Sequence, residues 1–304
     1  MLVVLSACCA CGDNLEFVPR CDEVPDTSAT SSYDDLVLAD GPVAFWDITG
    51  LGDTERDLTG NGRCGAYFGT TRRWTTMPDG ARVADFNGSD AYMFVGSNEA
   101  FSIPTTGSLT WEAWIEPDVL QFPNSPEGYV NWMGKCASYA PTCEWEARLH
   151  DSIDPQGRCN RFAAYAFNPS AGLGAGADWQ PTCGLLQPGQ WHHVVGEYTI
   201  GSQPAGCPNV ATAPGSITIF VDGIEWSQAD HNPTGCMSQF GVVPRANDSP
   251  LFIGTSAADN WFQGGIGKVA IYGYLLGADQ IANHYLAMTG RMPSGSCGAT
   301  CTIP

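Results

Sequence analysis

Charge is what this 304-residue sequence has least of: Asp, Glu, Lys and Arg make up 15% of it, against about a quarter in an ordinary soluble domain. Basic residues are the scarcer kind, 13 against 32 acidic, for a net charge of −19. So acidic a chain repels phosphate backbones, which excludes nucleic-acid binding as its main role. No apolar run approaches the roughly 18 residues that a membrane-spanning helix needs. A Gly-x-Ser-x-Gly elbow is absent, and the histidines (His150, His192, His193, His231, His284) have no triad context, which argues against nucleophilic hydrolysis. The cysteines show neither a repeated two-residue gap nor a Cys–His spacing that fits tetrahedral zinc.

Turn formers, aromatics and cysteine are plentiful instead. Gly (36) and Pro (21) are both abundant, and 11% of residues are aromatic, a composition that favours many short strands over helices. Thirteen cysteines without zinc spacing indicate an oxidising compartment. They lie in Pro/Gly/Ser/Thr-rich stretches, where disulfides would staple long loops, each contributing about 2–4 kcal/mol. Cys136 with Cys143, Cys159 with Cys183, Cys207 with Cys236 and Cys297 with Cys301 are candidates because they are sequence neighbours; the connectivity itself stays open.

Between about 36 and 288 the pattern is short apolar or alternating runs separated by turns. Val43–Trp46, Arg82–Phe86, Tyr92–Val95, Leu109–Ile115, Val130–Met133, Arg161–Phe167, Trp191–Thr199, Ser216–Val221, Leu251–Ile253 and Ile266–Tyr272 read as strands. Asn61-Gly62, Asn87-Gly88 and Asp222-Gly223 supply turn signals. One helix stands out, Ala278 to Met288, with Ile281, His284, Tyr285 and Met288 on one face. The expected fold is all-β, a sandwich or jelly roll of two antiparallel sheets with one short C-terminal helix.

The first residues, MLVVLSAC, resemble the end of a bacterial lipoprotein signal, which implies lipidation of Cys8 and leaves an even twelve cysteines for disulfides. On this resemblance residues 1–8 are a signal remnant, 9–35 a flexible tether, 36–288 the folded domain and 289–304 a tail. The protein would be exported, to the cell surface, the outer membrane or beyond, touching membrane only through its lipid.

Eight strings then occur in order: DLTGNG (57–62), VADFNGSDAYMFV (83–95), SLTWEAWIEPD (108–118), WHHVVGEY (191–198), ITIFVDG (217–223), LFIGT (251–255), FQGGIGKVAIYGYLL (262–276) and ADQIANHY (278–285). Together they resemble a laminin-G-like domain of the concanavalin A-like lectin/glucanase superfamily. The resemblance implies a concave face or loop rim that binds ligands, a structural role for His192 and His193, and often a calcium ion. Candidate calcium loops are Asp57 with Asn61 and Asn87 with Asp90; as Asx residues beside glycine they are equally good turn formers. The family's late strand usually reads Phe-x-Gly-x-Ile-Asp-Glu, whereas here Gly267 and Lys268 replace both acids, which puts in doubt any contact that used them.

Binder and enzyme both occur in that superfamily. Its retaining glucanases carry Glu-x-Asp-x-x-Glu on one strand face, a pattern missing here. The nearest approaches, Glu112/Glu116 and Glu144/Glu146, read as solvent-facing strand carboxylates. Sugar binding would need an aromatic platform beside planar polar groups. Trp132, Trp145, Trp179, Trp226 and Trp261 lie near loops, and Trp179 and Trp261, the latter next to Asn260, look most exposed by context. The segments 200–215 and 225–249 read as loop insertions that would carry specificity. The expected role is non-catalytic recognition of an extracellular glycan or surface glycoprotein. Protein–protein adhesion without a sugar site is a close alternative, and glycoside hydrolysis a more distant one.

Overall fold

The computed structural model describes Cys21 and residues 31–69, 73–122, 128–137, 143–152, 160–168, 173–178, 186–200, 215–227, 244–256 and 260–294. They form two antiparallel sheets packed face to face. The back sheet runs β14 (Ile224–Ser227), β13 (Gly215–Val221), β12 (His192–Ile200), β7 (Ser108–Pro117), β16 (Gln263–Tyr272), β5 (Arg82–Asn87) and β4 (Arg73–Thr76), with β1 (Ala44–Trp46) also pairing β16. The front sheet runs β11 (Leu173–Asp178), β10 (Phe162–Asn168), β9 (Trp145–His150), β8 (Tyr129–Lys135), β15 (Leu251–Ile253), β6 (Tyr92–Val95), β3 (Gly65–Phe68) and β2 (Thr54–Glu55). The three α-helices among the described residues are α1 (Ser32–Ala39), α2 (Ile103–Thr106) and α3 (Ala278–Thr289), and a 3-10 turn, Glu99–Phe101, leads into α2. This is the jelly-roll architecture the alternating runs predict, and every strand read from the sequence is present.

Alternation builds the core between the sheets. In β7, Leu109, Trp111, Ala113 and Ile115 point inward, to meet Val130, Trp132, Trp145, Ala147 and Leu149 of the front sheet. Trp111 and Trp132 meet edge to face, ring centres 5.4 Å apart. The Trp111 indole also lies across β12 at Gly196, where an added Cβ would fall 2.3 Å from the ring, so glycine is required for that close approach. Trp132 and Trp145, read from the sequence as loop-side aromatics, are instead fully buried. The Trp145 indole N–H donates to the Phe101 carbonyl at 2.8 Å, which satisfies its polar edge inside the core.

The outer face of the back sheet is buried as well. Tyr33 and Val37 of α1 and Ile281 and Met288 of α3 pack on Phe45, Val83, Trp114, Val195, Phe220 and Tyr272. Helix α1 begins inside the segment read as a tether. Ser31 caps it reciprocally, its hydroxyl accepting from the Asp34 N–H and the Asp34 carboxylate from the Ser31 N–H. Further back, Cys21 is disulfide-bonded to Cys64.

Lys268 explains why this helix docks. It occupies a bulge of β16 between Gly267 and Ala270, with φ +52. Its buried ammonium sits 2.6 Å from an Asp34 oxygen of α1 and 2.6 Å from an Asp47 oxygen. Burial alone would lower the Lys268 pKa, but Asp47 and Asp34 raise it on balance, so the cation stays charged. The lysine that replaces the family's acid thus has its acids supplied from elsewhere in the chain. Lys268→Met would leave two buried carboxylates without a counter-ion. It is expected to cost about 3–5 kcal/mol, read as a lower denaturant midpoint at constant m-value.

Candidate functional site

With the outer face of the back sheet covered, the outer face of the front sheet is the one on which no described helix packs, although Asn131, Glu146 and Phe252 are buried there. Its outward positions are the alternates of the core residues: Phe68 of β3, Tyr92 and Phe94 of β6, Phe252 of β15, Tyr129 and Asn131 of β8, Glu146 and Arg148 of β9, and Tyr165 of β10. One half of the face is aromatic. Phe68 stacks on Tyr92 with ring centres 5.0 Å apart, and Tyr92 touches Phe252 at 5.6 Å and Trp261 at 5.7 Å. Phe94 packs edge-on against Phe252 at 5.6 Å. Phe68 is 38% exposed, while Tyr92, Phe94 and Trp261 are half-buried. Asn260, buried and left-handed at φ +55, turns the chain just before Trp261; a non-glycine residue there is uncommon and marks a strained position.

The other half is polar. The Arg148 guanidinium lies between two rings, 3.8 Å from the centre of Tyr129 and 4.3 Å from that of Tyr165. It contacts the Glu146 carboxylate at 3.0 Å and donates to the Asn131 side-chain oxygen at 2.7 Å. Asn131 in turn donates to Glu146 at 3.1 Å, and the Ser256 hydroxyl donates to the same carboxylate oxygen. Strand register makes the halves continuous: Phe94 stands opposite Phe252, Phe252 opposite Gly134, Gly134 opposite Glu146 and Glu146 opposite Tyr165. Aromatic surface beside fixed amide, carboxylate and guanidinium groups is what a ring-shaped, hydroxylated ligand needs for stacking and orientation.

Of the residues singled out from the sequence, Trp261 and Asn260 lie at this face. Trp226 is in β14 of the back sheet, its side chain outside the described part. Trp179, Cys8, Cys159, Cys183, Cys207, Cys236, Cys297 and Cys301 lie outside the described residues, as do 201–214 and 228–243 of the two loop insertions. Cys136 and Cys143 are disulfide-bonded; they gather with Glu146, but disulfide sulfurs offer no thiolate to a metal.

In the candidate calcium loops, the Asp57 and Asn87 oxygens serve as turn caps. One Asp57 oxygen accepts from the N–H groups of Phe45 and Thr59 and from the Thr59 hydroxyl, and the other from the Arg63 N–H. Asn61 donates its side-chain N–H to the Val43 carbonyl at 3.0 Å. The Asn87 side-chain oxygen accepts from the backbone of Ser89, Asp90 and Ala91, and its amide donates to Asp90 at 2.7 Å. Oxygens that face so many hydrogens cap turns and leave little room for a hard cation's ligand shell.

Glu112, Glu144 and Glu146, read as solvent-facing, are all buried, because each has partners that replace water. Glu144 accepts from the Ile103 N–H at the start of α2 and lies 3.3 Å from the Lys135 ammonium. Glu112, on the helix-covered face, accepts from His193 at 3.0 Å, His284 at 2.9 Å and the Tyr272 hydroxyl. The other His284 ring nitrogen meets Asp40 at 2.9 Å. This Asp40–His284–Glu112–His193 chain has the spacing of a proton relay, but it ends on no nucleophile among the described residues and joins α1, α3 and the sheet. His192 faces the other way, to Asp222 at 2.9 Å. One more carboxylate group gathers at the open end of the back sheet. Thr75 donates to Glu116 at 2.7 Å, and Arg73 bridges Asp85 and Asp118. Burial and Asp118 push Asp85 up to about 6, against the pull of Arg73.

Comparison with known proteins adds three findings. The Laminin_G_3 family model, described as the Concanavalin A-like lectin/glucanases superfamily, matches residues 87–282. No match is found among curated protein sequences. Solved structures of similar fold include domain 4 of AbnA, an extracellular arabinanase from Geobacillus stearothermophilus, in complex with arabinotriose: 16% identity, TM-score 0.50, covering 80% of this chain and 98% of that one. The binding domain of Paraclostridial Mosquitocidal Protein 1 matches at 15% identity, TM-score 0.53, over 82% of this chain and 52% of that one. The Botulinum Neurotoxin Type G receptor binding domain matches at 11% identity, TM-score 0.52, over 80% and 50%. The chain thus spans about half the length of those two toxin domains.

Two outcomes follow for the groups described. Chelation by EDTA should leave the melting temperature of the oxidised chain unchanged; a fall of more than about 3 °C, roughly 1 kcal/mol for a domain of this size, would mean that a cation holds these loops. Burial alone would lower the His284 pKa, but Glu112 and Asp40 raise it above its ordinary 6.5. Its stabilising contribution is therefore complete below about 6.5 and lost as pH rises through the higher folded value. The stability gap between the native chain and His284→Gln should accordingly narrow towards alkaline pH in denaturant titrations.

Proposed function

Since the chain belongs to the Concanavalin A-like lectin/glucanases superfamily, we propose that it is a non-catalytic module binding carbohydrate on the outer face of its front sheet. The observation that carries this reading is the aromatic group of Phe68, Tyr92, Phe94, Phe252 and Trp261 in register with the Asn131–Glu146–Arg148 network. The similarity to an arabinanase domain bound to arabinotriose supports it, as does the similarity to receptor and binding domains of toxins. The partner is an extracellular glycan or the glycan of a surface glycoprotein. Two disulfides support export to an oxidising compartment, and lipidation at Cys8 would hold the module at the cell surface. Protein adhesion without a sugar site would suit a flat polar surface better than a face with a 38% exposed phenylalanine stacked on tyrosine. Hydrolysis has one observation in its favour, the Asp85 and Glu116 carboxylates facing each other across Gly265. Both are already held by Arg73 and Thr75.

Trp261→Ala and Tyr92→Ala should each weaken glycan binding about tenfold, the scale of one aromatic stack of ~1.5 kcal/mol, in chains that melt lower but still fold cooperatively. Isothermal titration with a glycan first found on an array would measure this. Undiminished affinity in both variants would move the site away from the front sheet.

A further inference from the structure

Lysine is the rarest charged residue of the chain: there are two, Lys135 and Lys268, and both are buried. Their surroundings differ. Lys268 sits between two carboxylates, Asp47 and Asp34, which keep its proton in place. Lys135, in β8, has one carboxylate and one amide instead. Its ammonium lies 3.3 Å from the Glu144 carboxylate and donates to the Asn247 side-chain oxygen at 2.9 Å and to the Asn247 carbonyl. Strand pairing brings the three together. Lys135 stands opposite Leu251 of β15, whose lead-in segment carries Asn247, and the Glu144 N–H donates to the Lys135 carbonyl at 2.9 Å.

Around Lys135 the balance of burial and charge runs opposite to that at Lys268. Burial lowers the Lys135 pKa against the pull of Glu144, and burial raises that of Glu144 against the pull of Lys135. Both shifts favour passage of a proton from ammonium to carboxylate, which leaves a neutral amine beside an amide. A neutral buried amine is a nucleophile. The amide carbon of Asn247 is one C=O bond of about 1.2 Å beyond the oxygen that the amine already touches. The Ser249 N–H donates to that same oxygen at 3.0 Å, where negative charge gathers when the carbonyl is attacked.

We propose that Lys135 and Asn247 join in an intramolecular amide bond, with Glu144 as the catalytic residue that carries the protons. The Nζ lone pair attacks Asn247 Cγ to form the C–N bond, and collapse of the tetrahedral adduct breaks the bond from Cγ to Nδ2. Of the ammonium's three protons, one stays on the new amide nitrogen, one departs on Nδ2 as ammonia, and one remains on Glu144 as a neutral acid. The step needs no oxidant and no cofactor. The bond spans 112 positions and ties β8 to the segment that leads into β15. Unlike the Cys136–Cys143 disulfide beside it, it survives reduction.

The full chain, expressed under oxidising conditions and shown to be folded, would be reduced, unfolded, cut with a lysine-specific protease and weighed by mass spectrometry. With two lysines, a chain without the bond gives three fragments. Acylation of Lys135 blocks its cleavage, so two are expected, the larger lighter than its sequence by one ammonia. Further digestion should release a branched peptide joining Lys135 to Asn247. Asn247→Asp should yield the same branched peptide at the same mass, having lost water in place of ammonia. Glu144→Gln and Lys135→Arg should yield linear peptides at these positions. The native chain and Asn247→Asp decide the matter even where Glu144→Gln fails to fold. Cleavage after Lys135 with both peptides at full mass would overturn the proposal. So would a branch from Lys135 to any other residue, or one that forms as fully in folded Glu144→Gln.

Discussion

A two-sheet sandwich has two outer faces, and in this protein buried charge fixes the one that the helices cover. Glu112, His193 and His284 lie on the back sheet and its helix with no access to water, and Lys268 sits between Asp34 and Asp47 under α1. An ion taken out of water without its partner costs several kcal/mol, so these groups tie the helices to the sheet more firmly than their apolar contacts would alone. The Trp114 ring shows how the two kinds of contact interlock. It stacks on His193 at 5.0 Å and on Tyr285 at 5.9 Å, in the same layer as Glu112. Closing the back in this way leaves the front sheet as the face whose polar and aromatic content is not fixed by packing against helices.

Much of the fold was legible because short apolar or alternating runs are separated by turn signals. Alternate residues of the WEAWI and YMFV runs face opposite sides of their sheets, and the Asp222-Gly223 turn has φ +53 and +77, the geometry that such a dipeptide favours in a hairpin. Six strands escaped: β3, β9 and β14, short runs beside turns or a Cys-bounded loop although β9 alternates, and three whose side chains do not announce them. β2 has two residues, β4 is an exposed edge, and the LGAGAD of β11 is mostly small residues. Backbone pairing with a neighbour makes these strands, and the neighbour is distant in sequence. Helix α1 escaped for a related reason. Its serine-rich start reads as linker, and the lysine that receives Asp34 lies 234 positions away.

The site was legible in part. Trp261 and Asn260 could be marked because they sit in a polar loop string. Phe68, Tyr92, Phe94 and Phe252 could not, since parity tells that two residues share a face but not which face is outermost. Trp132 and Trp145 were misplaced because they flank a Cys-bounded loop, although the alternation around them is that of core strands. Glu112 was misjudged by the usual rule for strand carboxylates. The signal available was its position among tryptophans, with a histidine pair in another motif, but nothing in sequence order brings His284 to it.

The Cys21–Cys64 bond joins residues 43 positions apart, and it gives the molecule a defined line of mechanical load. Tension applied ahead of Cys21 crosses the bridge to Cys64 and enters the front sheet at Gly65, the first residue of β3. The segment between the two cysteines, with α1 and its buried carboxylates inside it, is bypassed. A pull from the N-terminal side therefore strains the sheet that carries the binding face and spares the helix that closes the back.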